Sequence, residues 1–272
     1  MAQMKTTTPV KPVAPWVGGK SLLADTIINK IEKIKHTCYA EPFVGMGGVF
    51  LRRPFVAKSE VINDYSQDVA NFFRILQRHY VPFMEMMRFQ ITTRTEFSRL
   101  ANTDPATLTD LERAARFIYL QKTCFGGKAT SRAFGVDKSG PARFDITKLA
   151  PMLEDLHTRL SRVVIECLPY QDFIARYDKA TTLFYVDSPY YNSEDYYGKG
   201  MYSKDDHERL RDILMGIKGQ FIVSLNDVPE VRKIYKGFKL QKVRTNYSVG
   251  GGNQKQRMFG EVIITRQLRD KR

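Results

Sequence analysis

Residues 37–53 read TCYAEPFVGMGGVFLRR: an apolar run, Cys38 to Ala40, is followed by a turn carrying Gly45 and Gly47. The pattern predicts a short buried strand that turns through a glycine-rich loop into a helix near Val49. Glycines at such a turn let the backbone approach a ligand closely over the carboxyl edge of a sheet. Downstream, EVINDYS supplies a second short strand with Asp64 at its end, and DVANFFRILQRHY a helix. An acid about twenty residues beyond a glycine turn is placed to accept hydrogen bonds from ribose hydroxyls. Upstream, SLLADTIINKIEKIK carries Leu22, Leu23, Ile27, Ile31 and Ile34 at helical spacing. This β-loop-α-β-α order opens an α/β sheet of largely parallel strands.

From Val81 to Arg162 the character changes. Helical segments such as LERAARFIYLQK surround the loop CFGGKATSRAFGVDKSGPARFD, and no buried parallel strand is legible. The α/β rhythm resumes with RVVIECLPYQDFI and TTLFYVDSPYY, then the helix DDHERLRDILMGI, for which Ser203 is the expected cap, then the strand QFIVSLND. FKLQKVRTNYS and MFGEVIITRQL, joined by VGGGNQKQR, read as an antiparallel pair. The expected organisation is one α/β domain, residues 1–80 and 163–272, interrupted by a mostly helical insertion, residues 81–162.

A chain of 272 residues with 43% hydrophobic content can fill a core without staples. Cys38, Cys124 and Cys167 are odd in number and far apart, which fits free thiols rather than a disulfide framework or a zinc site. The leader MAQMKTTTPVKPV has no apolar core and no run is long enough to span a bilayer, so the expectation is a soluble, cytoplasmic protein without membrane contact. The net charge of +14 seeks a polyanion. Between Arg113 and Arg143 there are seven Lys or Arg against one acid, Asp137; between Arg232 and Arg257 there are eight against none. Those two windows account for the whole +14, so the excess is concentrated where a ligand can use it.

Two other stretches bear on chemistry. APWVGGKS, Ala14 to Ser21, meets the loosest P-loop pattern, and TLFYVD supplies the strand-borne acid that holds magnesium in NTPases. A phosphate cradle needs converging backbone N–H groups directly after a buried strand. Pro9, Pro12 and Pro15 remove donors and break such a strand, and Trp16 fills the loop, so sterics count against the P-loop reading, which stays as a magnesium-NTPase alternative. At Asp187 to Tyr191 a buried strand delivers DSPYY. Asp187 and the Ser188 carbonyl can accept both hydrogens of an exocyclic amine and draw its lone pair toward a methyl donor. Pro189 stiffens the turn, and Tyr190 offers a flat face for a base removed from its stack. An ordinary strand-to-loop turn with core tyrosines is the alternative for this motif, as a dehydrogenase is for the glycine turn.

In PWVGGKS, EPFVGMGGVFL, INDYSQD, RFIYLQKTCFGGK, YVDSPYY, IVSLND and the terminal NYSVGGG, the chain resembles the Dam-like family of S-adenosylmethionine-dependent DNA adenine N6 methyltransferases. The resemblance implies a Rossmann-like methyltransferase sheet with a terminal antiparallel hairpin and an inserted target-recognition domain. It implies a cofactor site of Trp16, Lys20, Glu41, Phe43, Gly45, Gly47, Asp64 and Asp187, with Phe173 against the cofactor's adenine. It implies Asp187, Ser188, Pro189 and Tyr190 as the catalytic set. Ser188 stands where the family has proline; the carbonyl needed at that position survives the change. An acid at the first position favours adenine N6 over cytosine N4. The implied partner is double-stranded DNA, contacted by Arg132, Lys138 and Arg143 in the insertion and by Lys255 and Arg257 beside the triglycine, and no metal is called for. A DNA-binding module that kept the fold and lost catalysis is the alternative that Ser188 raises.

Overall fold

In the strand Thr182–Val186 every residue is buried, and its side chains part between two apolar layers: Leu183 and Tyr185 enter one, Phe184 and Val186 the other. A strand covered on both faces is built this way, because successive side chains point to opposite sides. The computed structural model describes residues 5–124, 133–135, 140–194, 200–244 and 260–266. In chain order they form β1 (Lys5–Thr6), α1 (Ala24–Lys33), β2 (Cys38–Glu41), β3 (Phe55–Val56), β4 (Ser59–Asn63), α2 (Gln67–Arg78), α3 (Tyr80–Met87), α4 (Arg94–Asn102) and α5 (Asp110–Thr123). There follow α6 (Ile146–Leu160), β5 (Val164–Glu166), α7 (Tyr170–Tyr177), β6 (Thr182–Val186), α8 (Lys204–Gly216), β7 (Gln220–Asn226), α9 (Pro229–Ile234), β8 (Lys239–Arg244) and β9 (Gly260–Thr265).

The main sheet is Rossmann-like, with seven strands in the order β5-β4-β2-β6-β7-β9-β8. The first five are parallel neighbours, whereas β9 runs antiparallel to both β7 and β8. The terminal antiparallel pair is therefore present, and it extends the sheet rather than standing apart from it. Helices α1, α2, α5 and α6 bury their apolar stripes in one layer, which includes Ile27, Phe72, Phe117 and Leu153. Helices α7, α8 and α9 fill the other with Phe173, Leu210 and Val231. Residues 81–162 supply α3 to α6, and α5 and α6 pack on α2 inside the same core.

Caps mark the helix starts. Thr109 and Glu112 form a capping box at α5. At α8, Ser203 occupies the cap position, and Asp206 accepts from its backbone N–H at 2.8 Å. One local reading is corrected. Residues 45–52 form successive turns rather than a regular helix near Val49, with bonds from Leu51 N–H to the Gly47 carbonyl and from Arg52 N–H to the Val49 carbonyl. Gly45 and Gly47 both adopt positive φ, which an α-helix cannot include. The polar leader contributes β1, paired antiparallel with β3. No helix among the described residues is long and apolar enough to cross a membrane.

Candidate active site

The chain passes from β2 outward through β4 to β5, then returns to lay β6 on the other side of β2. In open parallel sheets this reversal leaves a crevice beyond the carboxyl ends of the two strands, where ligands bind. A cavity of about 420 Å³ opens there. Its wall is built from the Pro12–Ser21 segment, the loop after β2 with Phe43 and Gly45, Asp64 after β4, Asp187 and Pro189 after β6, and Met201 and Tyr202.

Two of the quoted sequence motifs meet face to face. Gly45 has φ +50°, and a Cβ there would lie 2.5 Å from Nε1 of Trp16, so only glycine admits the indole. Trp16 leans on Phe117 of α5 with ring centroids 6.4 Å apart, and Gln121 of the same helix donates to the Pro15 carbonyl at 2.8 Å. The Pro-Trp-Val-Gly-Gly turn is thus clamped between the glycine loop and α5. Asp64 closes the loop from the other side: Oδ2 accepts from the Gly45 N–H and Oδ1 from the Ser66 N–H, both at 2.9 Å. Burial pushes its carboxyl up to about 6 against those two bonds.

Lys20 is 1% exposed, and its ammonium turns to an acid on the next motif. Nζ donates to Asp187 Oδ1 at 2.7 Å, to the Gly18 carbonyl at 2.9 Å and to the Tyr190 hydroxyl at 2.9 Å. It also lies 4.5 Å from the Tyr190 ring centroid. The Tyr190 hydroxyl donates to Glu261 of β9 at 2.6 Å. Ser224 of β7 donates to the same Asp187 Oδ1 at 3.1 Å and is within 2.8 Å of the Tyr185 hydroxyl. Both contacts to Asp187 therefore fall on Oδ1, and the carboxylate keeps 20% exposure on the cavity it lines. Burial pushes Asp187 up to about 6, with Lys20 pulling the other way. The turn beyond is locked by Asn226, which accepts from Tyr191 N–H at 3.0 Å and donates to the Tyr191 carbonyl at 3.1 Å. Ser188 is buried beside Tyr202.

The arrangement brings Trp16, Lys20, Phe43, Gly45, Asp64, Asp187 and Pro189 to one cavity, with Tyr190 tied to it through Lys20. Gly47, with φ +74°, shapes the loop from behind, where a Cβ would meet Leu51 at 2.8 Å. Glu41 is 1% exposed and does not line the cavity. It accepts from the Tyr39 hydroxyl at 2.9 Å, and burial pushes its carboxyl up to about 8. Phe173 is fully buried in the layer beneath α7, 5.0 Å from Tyr177 between centroids, and lines no part of the cavity; its side of the helix faces the sheet. Arg143 is half-buried and donates to the Cys124 carbonyl at the end of α5 at 3.2 Å. Arg132, Lys138, Lys255 and Arg257 lie outside the described residues. Sequence reading missed Ser224, Asn226 and Glu261. The signal for Glu261 was available as a lone carboxylate in the otherwise apolar strand GEVIIT.

The comparisons with known proteins agree with this geometry. The chain is 26% identical to the DNA adenine methylase of Haemophilus influenzae over 93% of its own length and 92% of the relative's. It is 26% identical to the type II methyltransferase M.MjaIII of Methanocaldococcus jannaschii, covering 86% and 91%, and 26% identical to the DNA adenine methylase of Escherichia coli K12, covering 88% and 90%. Residues 16–249 match the model of the D12 class N6 adenine-specific DNA methyltransferases, a span that holds the clamped Trp16 turn, the glycine loop and Asp187 together, and the chain belongs to that family.

Proposed function

We propose that this chain methylates N6 of adenine at a specific site in double-stranded DNA, with S-adenosylmethionine as methyl donor. The observation that carries the reading is the Asp187 carboxylate on the wall of the cavity at the sheet's reversal point, its Oδ1 held by Lys20 and Ser224. The residues present fit the donor. The volume of about 420 Å³ is that of a cofactor pocket, and the Trp16 ring seated on Gly45, the Phe43 ring, and the carboxylates of Asp64 and Asp187 suit an adenosine, its ribose diol and a cation. When bound, S-adenosylmethionine supplies an electrophilic methyl group on a sulfonium.

An adenine taken out of the duplex stacks against Tyr190, whose ring is held by Lys20 and Glu261. Its amine donates one hydrogen to the Asp187 carboxylate and the other to the Ser188 main-chain carbonyl. These acceptors turn the nitrogen lone pair toward the methyl group and stabilise positive charge as it develops on N6. The catalytic set is therefore Asp187, Ser188, Pro189 and Tyr190, with Pro189 and Asn226 holding the turn rigid. Residues 81–162 form the target-reading part, with Arg132, Lys138 and Arg143 toward DNA, while Lys255 and Arg257 grip phosphates. The enzyme acts on DNA in the cytoplasm.

Incubation of DNA with methyl-labelled S-adenosylmethionine, followed by nucleoside digestion, is expected to place label on N6-methyladenine. Label on cytosine alone, or none on DNA of varied sequence, overturns the reading. Asp187→Ala is expected to lower transfer about a hundred- to a thousandfold, the cost of removing one charge-stabilising group. DNA binding by the variant is expected to persist.

A further inference from the structure

At the opposite edge of the sheet, where β2 and β4 begin, lies a second cavity of about 640 Å³. Its rim carries Lys5, Lys58 and Arg162, all exposed, against one exposed acid, Asp155. Its floor carries Arg159, 8% exposed, and Glu60; Arg53, at 0% exposure, lies behind them and lines no part of the cavity, and the two guanidinium groups share the Glu60 carboxylate. Arg159 Nη1 donates to Glu60 Oε2 at 2.7 Å, and Arg53 Nη2 donates to Oε1. Among the described residues, Nε and Nη1 of Arg53 and Nε and Nη2 of Arg159 have no hydrogen-bond partner.

Two buried cations share the Glu60 carboxylate, and the further acid that feels Arg53, Glu41, is held toward its neutral form by burial, so positive charge is left over, a costly arrangement in a core. The rings of Tyr39 and Phe50, 3.6 Å and 4.2 Å from the two guanidinium carbons, soften that cost without neutralising it. Residues 1–4, which precede Lys5, carry no acid. The methyl-transfer site at the other end of the strands makes no use of this cluster.

We propose that this cavity binds a small phosphorylated anion. A phosphate group matches the site in charge and in donor geometry. Its oxygens accept from guanidinium and ammonium groups together with hydroxyls such as Thr37 and Thr158, which also line the wall. Its negative charge sits among Lys5, Lys58 and Arg162 at the rim and over Arg159 on the floor, with Arg53 buried behind. The volume also admits the rest of a nucleotide-sized molecule.

The test uses the full chain, with inorganic phosphate and adenosine 5′-diphosphate as separate probes, titrated calorimetrically at ionic strength held constant with chloride. Saturable binding of one equivalent is expected, accompanied by a rise in melting temperature. Saturating S-adenosylhomocysteine, which occupies the cofactor site, is expected to leave it unchanged. Tighter binding of the diphosphate than of phosphate assigns the ligand to nucleotides, and equal binding assigns it to the free anion. Lys5→Ala with Lys58→Ala changes exposed side chains only and is expected to weaken binding at least about tenfold, a loss of 1.4 kcal/mol, with methyl transfer unchanged. Arg159→Lys, which keeps the charge, is expected to retain measurable binding. No saturable binding at millimolar phosphate, equal affinity in the double variant, displacement by S-adenosylhomocysteine, or a double variant that loses only DNA affinity overturns the proposal. None of these outcomes bears on methyl transfer, which the labelling experiment measures separately.

Discussion

Lys20 and Tyr190 lie 170 positions apart in the chain yet meet at 2.9 Å, and the acid between them carries the proposed chemistry. Asp187 titrates at about 6 because burial outweighs the pull of the ammonium. A protonated Asp187 accepts poorly from N6, so kcat at saturating cofactor is expected to fall as pH drops through about 6. Lys20→Met removes the group that favours the ionised acid, so the folded pKa rises further and the acid limb moves to higher pH. A limb that stays in place in the variant means Lys20 does not act through Asp187. Asp64 also sits at about 6, so cofactor affinity is measured apart from kcat across the same range.

Glu41 makes a second residue-scale case, read in stability rather than in rate. Its folded pKa is about 8 against an ordinary 4.5, so the folded state holds the proton more tightly than the unfolded chain does. The stabilisation from that proton is full below the ordinary value and is lost as pH rises toward about 8. Glu41→Gln keeps an acceptor for Tyr39 and removes the titration. Its melting temperature relative to the parent is expected to rise more at pH 9 than at pH 5, each kcal/mol appearing as about 2–4 °C in a domain of this size. Glycine and acid identities at these positions were legible because they are local. The pairing of Lys20 with an acid was not, since nothing near APWVGGKS indicates which strand its ammonium will face.

At the scale of elements, α5 does more than its amphipathic pattern announces. It packs Phe117 against Trp16 and sends Gln121 to the Pro15 carbonyl, so a helix from the 81–162 stretch shapes the cavity at the sheet's reversal point. Gln121→Leu leaves that carbonyl without its donor, at a cost of about 1–3 kcal/mol. The expected result is a lower melting temperature and a several-fold weaker S-adenosylmethionine affinity by calorimetry. Unchanged cofactor affinity means the clamp is not needed to form the cavity. Strand and helix existence followed from periodicity along most of the chain. The failure at Val49 has a physical cause: apolar spacing there suggested a helix, but two positive-φ glycines commit the backbone to turns first.

For the whole molecule, the charge excess divides between structure and surface. In the first basic window, Arg113 pairs with Asp68 at 2.5 Å and Arg116 donates to the Leu100 carbonyl at 2.7 Å. In the second, Arg232 pairs with Asp227. These three side chains are engaged within the fold, so not every charge of the two windows faces outward. DNA affinity is expected to fall linearly with the logarithm of salt concentration. Lys255→Ala and Arg257→Ala are each expected to reduce that slope by about 1 if they contact phosphates. A slope unmoved by both removes them from the interface.

By itself the sequence determined the α/β class, the glycine loop and the strand that ends at Asp187, because strand period, turn chemistry and short motifs are properties of contiguous residues. Only the tertiary structure decided what those residues touch. It set Lys20 on Asp187, Trp16 on Gly45, Glu261 on Tyr190, and two arginines on one glutamate. Each of these choices follows from strand order and from helices closing over the sheet. They join distant parts of the chain through packing that no local pattern encodes.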